Sequence, residues 1–282
     1  MITSGTRVAA LIGSPVQHSL SPLLHNAAFA HLGLDWVYVA FDVAPGQAQT
    51  ALDAMRVLGL GGLSVTMPHK EAVASAVDVL DPAARLLRSV NTVVAQADGS
   101  LAGHSTDGAG LIASLAAAGV AVRDRSICVL GGGGAARAIC HALAQAGAAR
   151  VAVVNRTPAA AEATAELAVS NGVTIGFVGT AADVAAADIV VNATSVGMST
   201  SRTGAVGMGE IELPCDPALL RAGQVVADIV YHPRETALLR AARAAGAVTV
   251  EGLGMLVHQA ALQQQLWHGT LPDVDVMTAA VA

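Results

Sequence analysis

Ile127-Cys128-Val129-Leu130-Gly131-Gly132-Gly133-Gly134-Ala135-Ala136-Arg137 is the stretch that decides the fold. A short apolar run of β-favouring residues meets four glycines, and an alanine-rich helical pattern follows at once, over 135–146. Glycine lets the backbone turn sharply and approach a pyrophosphate closely, and the N–H groups at the helix start then face its negative charge. Gly131, Gly133 and Ala136 take the three positions of the dinucleotide fingerprint, alanine being tolerated at the third, where helix packs on strand. The strand–turn–helix order is the context that the motif requires. Read alone, the same glycines also serve a βα turn that binds nothing.

Outward from this loop, the next strand, 150–154, runs into Asn155-Arg156-Thr157. Sites that take NAD place an acid at this point to bind the ribose 2′-hydroxyl. Here there is none. Arg156 can pair with a 2′-phosphate instead, with Asn155 and Thr157 adding hydrogen bonds, so the cofactor expected is NADP(H). The alternative is an arginine that merely faces water. Strands are expected at 189–192 and 225–229, and the polar, glycine-bearing stretch 195–209 reads as a mobile loop. Upstream, strands at 8–13, 38–43, 63–67 and 91–96 alternate with helices at 22–32, 46–58 and from Pro68 onward. Ser21 is the expected cap of the first helix and Pro22 its first residue. A longer helix is expected over 106–118 and a closing one over 256–267. The alternation implies parallel strands joined by helical crossovers, hence an α/β fold.

Composition narrows the function classes. The chain has 282 residues, enough for one large or two ordinary domains. Its mean hydropathy is +0.57, but its longest apolar runs fall short of the ~20 residues of a membrane span. The first seven residues lack the basic and apolar regions of a secretory signal. A soluble, cytoplasmic protein is expected. A net charge of −6, no basic run and 2 % aromatic residues leave nothing to track phosphates or stack bases, so nucleic acid is not an expected partner. Cys128, Cys140 and Cys215 are scattered and odd in number, as reduced structural thiols are. None of the nine histidines is paired at metal-ligand spacing, so no metal is expected.

Candidate catalytic groups gather before the glycine loop. Ser64-Val65-Thr66-Met67-Pro68-His69-Lys70 sits at a strand end, where α/β sites form. Asn91-Thr92 opens a later strand, Gly103-His104-Ser105-Thr106-Asp107-Gly108 precedes a helix, and Ser19 and Ser21 flank a strand–helix junction. At these residues the chain resembles the shikimate dehydrogenases. Gly13 to Pro22 looks like the family's Ser-x-Ser-Pro signature and Ser64 to Lys70 like its Val-Thr-x-Pro-x-Lys signature. Asn91-Thr92, Thr106-Asp107-Gly108, the glycine loop, Asn155-Arg156-Thr157, Asn192-Ala193-Thr194 and Gly252-Leu253-Gly254-Met255 with Gln259 follow in the family's order.

The resemblance implies two α/β domains. Residues 1–106 and 252–282 would form a substrate domain with a mixed, mostly parallel sheet, and 107–251 a Rossmann-type NADP domain. It implies the reversible reduction of 3-dehydroshikimate to shikimate by NADPH, a step toward chorismate and the aromatic amino acids. Lys70 and Asp107 would be the catalytic pair, Ser19 and Ser21 would hold the substrate carboxylate, and Thr66, Asn91, Asp107 and Gln259 would hold the ring hydroxyls, with Tyr231 closing the pocket near the cofactor. Gly131, Gly132, Gly133, Gly134, Ala135, Asn155, Arg156, Thr157, Thr194 and Gly252 would line the cofactor. The residue types suit such a substrate, because a ring with one carboxylate and several hydroxyls needs dense donors and acceptors. Domain closure over the substrate is expected, with the glycines at 103–110 and 252–254 as hinges. Either a monomer or a homodimer is compatible with the sequence.

Three positions depart from the commonest family pattern. Ser64 and Ser105 stand where asparagine is frequent, and Ala160 stands where many members carry an arginine that would clamp the 2′-phosphate. A serine reaches less far than an amide. These departures leave open a paralogue acting on quinate, aminoshikimate or a related cyclic hydroxy acid, although Thr66 favours shikimate. A non-catalytic NADP-binding protein is the alternative of another class. A reductase of the folate or tetrapyrrole pathways is opposed by the Ser-x-Ser-Pro and Gly-Leu-Gly-Met signatures.

Overall fold

The computed structural model describes residues 2–169, 174–198 and 212–282. The chain divides into two compact units, Met1–Thr106 with Gln259–Ala282, and Asp107–His258. Most of the loop expected at 195–209, namely 199–209, lies outside the described residues.

The first unit runs β1 (Arg7–Gly13), α1 (Ser21–His31), β2 (Trp36–Asp42), α2 (Ala48–Leu58), β3 (Gly62–Val65), α3 (Lys70–Ala76), β4 (Val79–Leu80), α4 (Pro82–Leu87), β5 (Thr92–Ala95) and β6 (Leu101–His104). Its sheet has the order β2-β1-β3-β5-β6-β4. β1 is parallel to β2 and β3, and β4 to β6, but β5 is antiparallel to both of its neighbours. The sheet is mixed and mostly parallel, as the resemblance implies, with β5 the exception to the parallel strands implied by the alternation of strands and helices. The segment 96–100 is a tight turn, closed by Gln96 N–H to Ser100 C=O (2.8 Å) and Gly99 N–H to Gln96 C=O (3.0 Å), with Gly99 at φ +86°. It makes β5 and β6 a hairpin, which needs no crossover helix.

A correction concerns α1. Ser21 is its first residue rather than its cap. Leu20 is the N-cap and offers no side-chain bond. The Ser19 hydroxyl accepts the Ser21 N–H instead, at 3.2 Å. Pro22 has no N–H to satisfy, so the helix can begin one residue early.

The first unit's sheet is covered on both faces. Ala10, Ile12, Leu63, Val65 and Val93 pack with Leu52 and Met55 of α2 and Val73 of α3. On the other face Ala9, Leu11 and Tyr38 pack with Phe29 of α1 and with Trp267. The Trp267 indole N–H donates to Val93 C=O at 3.1 Å. A Cβ on Gly62 would lie 2.4 Å from that ring, so only glycine lets the ring lie on β3.

The second unit runs α5 (Asp107–Ala117), β7 (Ser126–Leu130), α6 (Gly134–Gln145), β8 (Arg150–Val154), α7 (Pro158–Glu166), β9 (Ile175–Val178), α8 (Ala181–Ala186), β10 (Ile189–Asn192), β11 (Val225–Asp228), α9 (Ala237–Ala244) and β12 (Val248–Val250). All strands of its sheet are parallel, in the order β12-β11-β10-β7-β8-β9. The order reverses between β7 and β10, the switch point at which such sheets bind dinucleotides. Side chains on both faces are buried: Ile127, Val129, Val151 and Val191 on one, Cys128, Leu130, Ala152 and Val190 on the other. That explains the unbroken apolar runs in the sequence.

α10 (Gly252–His268) and α11 (Val274–Ala279) close the chain. α10 starts four residues before the expected 256. Its glycines are inside the first turn because neighbours press on them. A Cβ at Gly252 would lie 2.5 Å from Val230 C=O, and one at Gly254 would lie 2.3 Å from the Ser114 hydroxyl. Among the described residues no helix is long and apolar enough to cross a membrane.

Candidate active site

In the first unit the candidate side chains come together at one edge of the sheet. β1 and β3 are parallel, so Ser19 and Ser21, beyond the end of β1, lie at the same edge as Thr66, just beyond β3. β5 runs the other way, so its beginning, and Asn91 before it, lies at that edge too. β6 turns back again and delivers Thr106 there. Backbone bonds join these segments: Thr66 N–H to Ile12 C=O (2.9 Å), Val65 N–H to Asn91 C=O (2.8 Å), Asn91 N–H to His104 C=O (3.0 Å) and Val90 N–H to Lys70 C=O (3.0 Å). Gly13 must be glycine, since a Cβ would lie 2.2 Å from the Thr66 methyl.

Asn91, 3 % exposed, has its amide orientation fixed by chemistry. Its Oδ1 accepts from Thr106 N–H at 2.9 Å and from the Thr92 hydroxyl at 2.8 Å. A backbone N–H can only donate, so oxygen must face it. Nδ2 is therefore turned to the Thr106 hydroxyl at 2.9 Å and to Gln259 Oε1 at 3.5 Å. The Thr106 hydroxyl in turn reaches Gln259 C=O at 3.2 Å.

Ser64 is buried, and its hydroxyl donates to Gln263 Oε1 at 2.7 Å, while Gln263 Nε2 donates to Asn91 C=O at 3.2 Å. One turn beyond Gln259 on α10, Gln263 thus supplies an amide beside the position where the family more often has one. A second departure, Ser105, is half-buried and sets its backbone N–H toward Asp81.

Beside Ser64 lies Tyr38, whose phenol oxygen is buried with no hydrogen-bond partner among the described residues. Burial pushes this phenol well above its ordinary range, against the flanking hydroxyls of Ser64 and Ser21. His25 stacks on it with ring centroids 4.1 Å apart and is wholly buried, which pushes its pKa down to about 3. His25 is thus a neutral wall. Lys70, half-buried, is the first residue of α3, and the preceding His69 anchors that helix start through its ring, 2.8 Å from Val43 C=O. His18 is exposed. His104 is half-buried, with Nδ1 3.0 Å from Asp81 Oδ2. Burial works to raise the Asp81 carboxyl, but the His104 ring and the Ala84 N–H outweigh it and hold Asp81 below its usual range.

In the second unit, Asp107 is the buried first residue of α5. Gly108 beside it lets that helix press on α6, because a Cβ would lie 2.3 Å from Ala138 C=O. The glycine loop ends β7. Gly131 has φ +123°, and a Cβ on it would lie 3.0 Å from Ala193 C=O. Gly133 is the N-cap of α6 and leaves its first N–H groups without a side-chain cap. Among the described residues nothing lies within 4 Å of where a Cβ on Gly133 would be. Ala136 is fully buried in the core, as the third fingerprint position requires.

Asn155 Nδ2 bonds Thr157 C=O at 3.1 Å and packs against Gly132, as does Ala160. Arg156 and Thr157 are exposed, and no carboxylate ends β8. An open glycine cradle, an uncapped 12-residue helix and an exposed arginine in place of an acid fit a dinucleotide with a 2′-phosphate. Thr194 is half-buried and Tyr231 largely so, and burial raises the Tyr231 phenol. Gly252 is buried against the backbone of Ile229 and Val230, which accounts for its being glycine.

Sequence reasoning assigns no role to Thr106, Gln263 or Tyr38. Gln263 has a signal: Gln259, Gln263 and Trp267 recur at spacing four, marking one buried helix face with polar members. Tyr38 has none beyond its strand. Among the described residues no three His, Cys, Asp or Glu side chains gather as a metal would need.

Comparison with known proteins agrees along the chain. Residues 11–93 match a family model described as the shikimate dehydrogenase substrate binding domain. Residues 114–212 match one described as shikimate / quinate 5-dehydrogenase, and 252–282 one described as the shikimate 5'-dehydrogenase C-terminal domain. A shikimate dehydrogenase (NADP(+)) of Moorella thermoacetica is 43 % identical, covering 98 % of this chain and 92 % of its own. A crystal structure of a shikimate dehydrogenase in complex with NADP+ superposes with a TM-score of 0.91 at 38 % identity, over 100 % of this chain and 96 % of the other. That of the Thermus thermophilus shikimate 5-dehydrogenase with NADP(H) and shikimate gives 0.87 at 36 %, over 98 % of each.

Proposed function

The chain belongs to the shikimate dehydrogenase family, and from that premise we propose that it catalyses the reversible, NADP-dependent reduction of 3-dehydroshikimate to shikimate. NADPH, when bound, supplies the hydride for the ring carbonyl. The side chains have the remaining work of holding the ring, excluding water and managing one proton at the reacting oxygen. Ser19 and Ser21 hold the carboxylate, and Thr66, Asn91 and Gln259 hold hydroxyls. Lys70 and Asp107 are the catalytic pair, and Tyr231 closes over the ring. On the cofactor side, the loop Gly131–Ala135 takes the pyrophosphate, Arg156 with Asn155 and Thr157 takes the 2′-phosphate, and Thr194 and Gly252 border the nicotinamide.

One observation carries the chemistry. Lys70 is the sole lysine of the chain, beside fourteen arginines. Every other cationic position is served by a guanidinium, which cannot give up its proton. The single amine stands where the reaction needs a group able to release and regain one, so Lys70 is assigned the proton transfer. Three free thiols, two of them buried, suit a reducing cytoplasm. Quinate is the second reading, favoured by Ser64, which is smaller than the frequent asparagine and is tied to Gln263.

Initial rates with shikimate and quinate, each with NADP+ and NAD+, test this. Fast shikimate oxidation with NADP+, abolished by Lys70→Ala, is expected. Arg156→Asp should raise the NAD/NADP preference ratio at least tenfold, about the worth of one charge-assisted phosphate contact. Faster turnover of quinate moves the protein to the second reading. An unchanged ratio removes Arg156 from the cofactor site.

A further inference from the structure

We propose that Asp228 is a positioning residue for the dinucleotide: its buried carboxylate clasps together the two loops, 193–198 and 229–236, that follow neighbouring strands of the second unit. This rests on the NADP reading above for its consequence, but not for its geometry.

β10 and β11 are apolar strands, Ile-Val-Val-Asn and Val-Val-Ala-Asp, that end in register on a polar pair, Asn192 opposite Asp228. Asn192 is 0 % and Asp228 2 % exposed. A carboxylate so placed is costly unless donors surround it. Three do. Oδ1 accepts from Asn192 Nδ2 at 2.8 Å and from Val230 N–H at 3.0 Å, and Oδ2 accepts from the Thr236 hydroxyl at 2.7 Å. Burial raises the carboxyl's pKa, and these three bonds work against the rise.

From this carboxylate the bonds run outward in both directions. Asn192 Oδ1 accepts from the Thr194 N–H at 3.1 Å and hydroxyl at 2.7 Å, and Thr194 Oγ1 accepts from Val196 N–H at 3.1 Å. Asn192 Nδ2 also reaches Val196 C=O at 3.3 Å. On the other side the Thr236 hydroxyl caps α9 by accepting Leu239 N–H at 3.2 Å. The first loop supports the glycine cradle, since Ala193 C=O lies against Gly131. The second carries Tyr231.

Two apolar residues could end the strands as stably. They would not fix both loops to one point at the carboxyl edge of the sheet, where the dinucleotide binds. Asp228 touches no reacting atom in this scheme. It sets the spacing between the segment behind the pyrophosphate cradle and the segment bearing Tyr231.

Asp228→Asn keeps the shape but removes the charge and leaves the Thr236 hydroxyl to accept rather than donate, so charge-assisted bonds become neutral ones. NADPH affinity, measured by fluorescence titration without substrate, should fall about tenfold, as expected for one compromised buried charge-assisted bond. The KM for shikimate should rise by less than the NADPH affinity falls, because Tyr231 is the one substrate-side residue on these loops. Amide hydrogen exchange in the unliganded protein should quicken in both loops. Should that variant fail to fold, Thr236→Val removes only the hydroxyl, and exchange should still quicken across the carboxylate, in 193–198. NADPH affinity within twofold of the parent, or faster exchange confined to 229–236, overturns the proposal. If the parent protein binds no NADPH, the cofactor reading fails, and exchange in both loops still decides whether the clasp exists.

Discussion

Thr106 and Asn91 hold each other so that neither side chain can turn without breaking two bonds. The Thr106 backbone selects which end of the Asn91 amide is oxygen, and its hydroxyl fixes where the nitrogen points. A substrate hydroxyl held by Asn91 therefore meets an amide whose orientation is settled before binding, so no ordering cost falls on the ligand. Thr106→Val preserves volume and removes the hydroxyl. It should raise the KM for shikimate about tenfold, the worth of one buried hydrogen bond and its unsatisfied partner. The effect on kcat and on the KM for NADP+ should be smaller, and Thr106→Ser should restore the parent values. Equal losses in kcat and KM would instead mean a damaged fold. The sequence places Thr106 in a motif but assigns it no role, because which backbone N–H meets which amide oxygen is settled across fifteen residues of chain.

The glycines of the helices show how much an element depends on what lies against it. Gly108, Gly252 and Gly254 lie within helices, where glycine costs about 1 kcal/mol relative to alanine. By sequence they are expected to be hinges. In each case a Cβ would fall under 3.0 Å from a neighbour, twice from a backbone carbonyl or carbon, so they are positions of close approach. Gly108→Ala should force α5 away from α6 and destabilise the protein by about 1–3 kcal/mol. Because Asp107 is the adjoining residue, kcat should fall with it. Thermal unfolding and turnover measured on the same preparation check this, and an alanine variant with the parent's melting temperature would show that α6 can yield. The same lesson holds for β5. Its residues favour a strand in either direction, and only the short turn at 96–100 signals an antiparallel one. That direction puts Asn91 among the candidate ligands, since a parallel β5 would have begun at the opposite edge.

Over the whole molecule the buried histidines set the response to acid. His25 is held neutral by burial, with its pKa at about 3 against 6.5 when unfolded. Burial also lowers His258 and His268. Below pH 6.5 the unfolded chain takes up these protons while the native protein does not. The stability present above that pH is therefore lost as pH falls, by up to about 1.4 kcal/mol per pH unit for His25. The loss is smaller for His258 and His268, which water still reaches and screens. Between pH 6.5 and 5 this loss is already under way. His25→Phe keeps the stack on Tyr38, and Gln264 retains its bond to the residue 25 carbonyl. The variant should show a flatter decline of melting temperature across that interval. A slope equal to the parent's would mean that His25 takes up a proton in the native state.

The sequence by itself determined that the chain is α/β, that a dinucleotide fingerprint lies at 131–136, that an arginine replaces the acid after the next strand, and that the family signatures follow in order. These are local facts. Glycine's freedom, strand and helix periodicity and residue chemistry act over a few neighbours, and so can be read in line. Tertiary structure alone decided the start of α10, the Ser64–Gln263 pairing and the meeting of Asn192, Asp228 and Thr236. Each depends on a hydrogen bond or a steric approach between segments far apart in the chain. Ser64 and Gln263 are 199 positions apart, and nothing in the spacing of residues says which distant amide will take a buried hydroxyl once both have been removed from water.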